Sequence, residues 1–126
     1  MTKKYKVQIK SLNKDIEEEV VLELNGVELT CHASYCPYKL GVNEFYEVEF
    51  EGIVFDDYLV EESPTQKTEL RQHGDSYQYS AYGKLVRNVL HSVIEIEDDE
   101  LLSDYGYLDG KYVRMNIDRL DVSFCD

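Results

Sequence analysis

Tryptophan is absent, proline occurs only twice, and no apolar run approaches the roughly 20 residues that cross a bilayer as a helix. The scarcity of proline and glycine excludes collagen-like and Pro-rich disordered chains. The start, Met1-Thr2-Lys3-Lys4-Tyr5, leads into alternation rather than an apolar signal core, so the expected address is the cytoplasm. Three cysteines, Cys31, Cys36 and Cys125, are an odd number without small-scaffold spacing. Reduced thiols are expected, not a disulfide framework. Basic residues are also few: 13 Lys and Arg stand against 26 Asp and Glu, for a net charge of −13. Nucleic acid needs cations to displace its counterions, so this surface is expected to repel it. No P-loop or G-x-G-x-x-G cluster occurs, and nothing implies a cofactor.

What is present is alternation. Tyr46, Val48 and Phe50 alternate with Glu47, Glu49 and Glu51, the pattern of a strand with one buried and one solvated face. Tyr5, Val7 and Ile9 give a first strand. Val20, Leu22 and Leu24 precede Asn25-Gly26, and Val27, Leu29 and Cys31 follow it. A two-residue type I′ loop there pairs Leu24 with Val27, Leu22 with Leu29 and Val20 with Cys31. Cys31 thereby faces inward as a small hydrophobe. A long strand from about Phe45 to Phe55 carries Gly52, and one from Tyr77 to about Val86 carries Gly83. Glycines at such positions suggest bulges that turn a corner. Tyr58-Leu59-Val60 is a further short strand candidate, and Glu61 to Thr65 reads as a loop. Arg87-Asn88 and Asp109-Gly110 read as tight turns, and Val89 to Ile96 as a returning strand. Val113, Met115 and Ile117 alternate, and Leu120, Val122 and Phe124 follow. Asp98 to Asp104 is the one helix candidate, with Asp98 or Asp99 near its start and Leu101 and Leu102 inward.

The expectation is one all-β domain over residues 1–126, without linker or repeat. It is a small barrel of about 8–9 short antiparallel strands, with an N-terminal hairpin and at most one short helix. This pattern resembles the five-stranded OB barrel over about residues 44–118. The stretches Ala33-Ser34-Tyr35-Cys36-Pro37-Tyr38 and Tyr105-Gly106-Tyr107-Leu108-Asp109-Gly110 also resemble those of small uncharacterised acidic bacterial proteins. That resemblance implies no activity.

Catalytic chemistry finds little support. Cys31 and His32 point to opposite faces of a strand, and no second pair completes a zinc site with Cys36. No orienting group accompanies a Cys/His nucleophile; His73 lies in a polar loop and His91 in a strand. Carboxylates are too abundant for any pair to signal glycoside chemistry. The run Glu95 to Glu100 lacks the calcium-loop spacing and reads as a solvated acidic edge.

Charge is uneven. Residues 1–14 hold Lys3, Lys4, Lys6, Lys10 and Lys14 and no acid, so the remaining 112 residues carry 8 bases and 26 acids, a balance of −18. Lys4, Lys6 and Lys10 share one strand parity, and their pairing with an acidic neighbour strand is the simpler account; a dedicated basic site is the other. Eleven tyrosines invite two readings: a barrel rim with buried rings and wet hydroxyls, or a protein-binding surface. The binding surface is placed at Tyr105 and Tyr107 with Asp98, Asp99, Glu100, Asp104 and Asp109.

Three functions compete. The first is a non-catalytic, immunity-like or inhibitor-like module for a basic protein partner, with no nucleic-acid or membrane partner. The second is an OB-type binder of oligosaccharide or single-stranded nucleic acid, although the cationic track for the latter is missing. The third is an enzyme with an unrecognised site, which requires a deep pocket holding perturbed titratable groups.

Overall fold

The computed structural model describes residues 3–126. In chain order these form β1 (Lys4–Leu12), β2 (Glu19–Leu24), β3 (Val27–Tyr35), β4 (Phe45–Ile53), β5 (Val60–Glu62), β6 (Glu69–Gln72), β7 (Tyr79–Val86), β8 (Val89–His91) and β9 (Glu95–Glu97). Helix α1 (Asp99–Ser103), a 3₁₀ turn (Gly106–Leu108), β10 (Tyr112–Ile117) and β11 (Arg119–Phe124) follow. The chain is all-β, with eleven strands among the described residues rather than eight or nine. The surplus comes from β6, whose charged residues hide a strand, and from the division of Val89 to Ile96 at Ser92.

Five strands close a barrel in the order β1-β2-β3-β11-β4, with β4 returning to β1. The pairing of β3 with β11 is parallel, which corrects the antiparallel expectation. The barrel is built from residues 4–53 and 119–124, not from 44–118. Residues between 60 and 117 instead make a second sheet in the order β5-β10-β7-β8-β9, with β6 also on β7. Local alternation identifies strands but carries no information about which strands meet across ninety residues.

The β2–β3 hairpin forms with the expected register, Leu24 opposite Val27, Leu22 opposite Leu29 and Val20 opposite Cys31. Asn25 and Gly26 have φ of 50° and 84°, the two positive values that a type I′ loop demands. Arg87-Asn88 likewise joins β7 to β8 with Val86 opposite Val89. Cys31 is fully buried, and burial pushes its thiol pKa well up. Gly52 is not a bulge, since it stays in register with Leu120. A Cβ there would meet Ile117 Cδ1 at 3.2 Å, so the glycine admits the end of β10. Glu61 and Glu62 belong to β5 rather than to a loop.

The second sheet covers the barrel mouth where β1, β3 and β11 begin. Two tyrosine hydroxyls join the layers. Tyr79 of β7 is buried, and its hydroxyl accepts the Thr30 N–H of β3 at 2.8 Å. The parallel pairing of β3 with β11 begins only at His32, so at Thr30 the tyrosine replaces the missing ladder acceptor. In return, Tyr5 of β1 accepts the Glu95 N–H of β9 at 2.7 Å. The opposite mouth is closed by the β3–β4 loop, where Tyr38 stacks on Tyr46 at 5.6 Å and meets Phe124 edge-on. Most tyrosine hydroxyls therefore bond to backbone or carboxylate groups rather than to solvent alone.

Lysines of β1 pair as the simpler account holds. Lys4 lies 4.0 Å from Glu47, Lys10 lies 3.8 Å from Glu23, and Lys6 sits over the Phe45 ring. Such exposed pairs contribute at most about 1 kcal/mol each. Their effect here is to cancel local charge.

Candidate functional site

The seven residues expected to form a partner surface lie on one continuous segment, α1 and the 3₁₀ turn after it. Asp98 is the N-cap of α1, its carboxylate accepting the Glu100 N–H at 3.0 Å. Asp109 Oδ1 accepts the Arg87 N–H at 2.8 Å and so fixes the β7–β8 turn. Asp99 accepts from Asn88 Nδ2 at 3.4 Å. These three acids have work inside the fold. Asp104, the C-cap of α1, is exposed. Leu101 is buried as expected, whereas Leu102 turns to solvent, because a helix this short presents only one inward position.

The tyrosines of this segment pack in a row, the inner pair stacked and the outer pair tilted. Tyr58 packs on Tyr105 with centroids 5.8 Å apart, and Tyr105 on Tyr107 at 6.4 Å. The Tyr105 hydroxyl donates to the Tyr58 carbonyl at 2.7 Å, which holds the inner end. Tyr58 presents its hydroxyl to Asp98 in a buried setting without a well-formed hydrogen bond, and burial followed by that carboxylate drives its pKa strongly upward. Tyr107 is the outer end, 72% exposed. An exposed aromatic results on a segment that also carries Asp104 and Asp109.

A second acidic feature escapes local reading. Between the barrel wall and β9 runs a groove of about 260 Å³, lined by Glu49, Glu51, Glu95, Glu97 and Asp121 with Lys3. Outward alternation on β4 supplies the first two, and β9, leading directly into α1, supplies the next two. The sequence displays both acid pairs but not their apposition. Lys3 partly offsets them, 3.3 Å from Glu95.

Asp121 is the groove's buried member. Its side chain keeps 5% exposure and forms a two-pronged pair with Arg119, Nε to Oδ1 at 2.6 Å and a terminal nitrogen to Oδ2 at 3.0 Å. His32 Nδ1 lies 3.6 Å from the same carboxylate, beyond a good hydrogen bond. Asp121→Ala is expected to cost about 2 kcal/mol in urea denaturation. That is below the roughly 3–5 kcal/mol of a fully buried pair, because Arg119 keeps 31% exposure and rehydrates. An unchanged midpoint would count against the pair.

Histidines are placed differently from expectation in one case. His73 is not merely solvated: its Nε2 lies 2.7 Å from the Ser80 hydroxyl, which also reaches Asn116 Oδ1 at 3.4 Å. A Ser–His contact is the geometry of an activated nucleophile, yet Ser80 is only 3% exposed and out of reach of an acyl group. The contact pins the β6–β7 connection to the sheet. His91 ends β8 with Nδ1 3.9 Å from Glu95. Cys31 and His32 face opposite sides of β3, and no group of three His, Cys, Asp or Glu among the described residues is arranged to hold a metal ion. Among the described residues no helix is long and apolar enough to cross a membrane.

Among known protein families, one model matches residues 3–125, and its description reads "Uncharacterised conserved protein UCP019853". No curated protein and no solved structure matches the chain. Since the match spans nearly every residue, the chain belongs to this family of uncharacterised conserved proteins.

Proposed function

We propose that this protein is a non-catalytic binding module that docks a basic protein, in the manner of an immunity protein or inhibitor. The observation that carries the reading is the Tyr58–Tyr105–Tyr107 ring cluster, whose exposed outer ring lies on the same segment as Asp104 and the acidic first turn of α1. A tyrosine ring has few rotatable bonds and gives up little conformational entropy when it is buried, and acids on its segment raise the encounter rate with cations. The acidic groove extends the same field along β9.

A pull-down at low and moderate salt tests it. The expected catch is a basic protein whose recovery falls as salt rises, and falls about tenfold for Tyr107→Ser. Recovery of no basic partner, or a catch indifferent to ionic strength, contradicts the proposal.

A second reading draws on the barrel. A closed five-stranded barrel with one parallel pair supports OB-like kinship, and such barrels bind oligosaccharides as well as single strands. Sugar binding escapes the charge objection that single-stranded nucleic acid meets. Titration with neutral oligosaccharides, followed by tyrosine fluorescence, separates it from the first reading.

A further inference from the structure

The barrel mouth away from the second sheet carries an excess of exposed apolar surface. Eleven large apolar side chains are exposed among the described residues, and six of them gather at this end: Leu12, Ile16, Tyr35, Tyr38, Val42 and Phe45. The topology explains the gathering, since β1 and β3 end here, β4 begins here, and the two connecting loops cross here. Val42 lies beside β1 because its neighbour Asn43 donates to the Ile9 carbonyl at 2.7 Å and Ile9 donates to Glu44 at 3.0 Å. The patch is anchored rather than loose. Tyr38 is stacked on Tyr46 and bonded through its hydroxyl to the Cys125 carbonyl at 2.6 Å.

Around this centre the loops are acidic. Asp15, Glu17, Glu18, Glu44 and Asp126 are exposed at the same mouth, against Lys6 over the Phe45 ring, Lys14 and Lys39. An apolar centre inside a charged rim is the anatomy of a protein–protein interface. The sign of the rim selects the occupant. A second copy would bring like rims together, and two molecules of net charge −13 repel.

We infer that this mouth is a docking surface for a basic protein segment, one whose apolar side chains are flanked by Lys and Arg. It shares with the proposed function only the partner's charge, and it lies at the opposite end of the molecule from the Tyr107 surface. The two surfaces therefore fail or succeed separately.

The test uses the intact protein and a defined probe, a fluorescent amphipathic helical peptide of leucine and lysine, with polylysine as the purely cationic comparison. Leu12→Ser with Val42→Ser is expected to weaken peptide binding about tenfold and to leave polylysine binding unchanged. Val86→Ser, an exposed apolar site elsewhere, is expected to change neither. Thermal melts verify that each variant folds. Three results overturn the inference: no measurable peptide binding, equal binding by the double variant, or loss confined to Tyr107→Ser. Sedimentation showing a wild-type dimer that the double variant dissociates also overturns it, because the occupant is then a second copy.

Discussion

Tyr79→Phe is expected to lower stability by about 1–3 kcal/mol although it deletes a single oxygen. That oxygen accepts the Thr30 N–H, and the deletion leaves a backbone donor stranded between barrel and second sheet. Tyr79→Ala adds a cavity in a fully packed position and is expected to cost about 3–5 kcal/mol. The pH profile carries the same signature. Burial is the largest influence on Tyr79 and pushes its pKa up to about 12, against an ordinary value of 10.0. The neutral phenol is thus favoured by folding. Its contribution is complete below pH 10 and is lost as pH climbs from 10 towards 12. Urea denaturation of wild type and Tyr79→Phe across this window is expected to show a gap that narrows with alkalinity. A gap that stays constant, or is absent at neutral pH, contradicts the bridging role.

Gly83→Ala is expected to be the most damaging single methyl group in the protein, at about 3 kcal/mol or more. A Cβ at this position would collide with the His91 carbonyl oxygen, and would stand 2.7 Å from its carbon and 3.0 Å from Ser92 Cα. These are backbone atoms with no rotamer to yield. Gly83 also marks the junction on β7 where β6 ends as neighbour and β8 begins. Ser92 bridges the gap, its hydroxyl 2.7 Å from the Tyr82 carbonyl and 3.1 Å from that of Glu69. Relief therefore requires β8 and β9 to move off the sheet. Amide exchange of Leu90 and Ile96 is expected to accelerate together with a fall in melting temperature. A variant with wild-type exchange there would show that the strands have room.

Gly83 also shows what the chain makes legible. Its presence inside a strand pattern signals that something unusual happens to the backbone, and the natural reading is a corner. The actual cause is a neighbour arriving from eight residues later, which the pattern cannot display. The β2–β3 hairpin is the contrasting case: periodicity, turn chemistry and register are all local, so every pair is readable from Val20 to Cys31. The segment proposed as a partner surface lies between these extremes. Asp98 is recognisable as a cap because capping is a property of adjacent residues. The stacking of Tyr105 on Tyr58 crosses 47 positions and appears only in three dimensions. The acidic groove is hidden for the same reason, since β4 and β9 supply its walls from distant parts of the chain.

The parallel pairing of β3 with β11 has a temporal side. During ribosomal synthesis the strip β4-β1-β2-β3 presents one raw hydrogen-bonding margin on β3 and another on β4, and neither is filled until residues 119–124 emerge. Closure of the drum is thus deferred until after the whole intervening sheet has been made. Such high contact order favours slow maturation and a window of self-adhesion in the nascent chain. The abundant negative charge then has a role during folding itself, by holding unfinished copies apart.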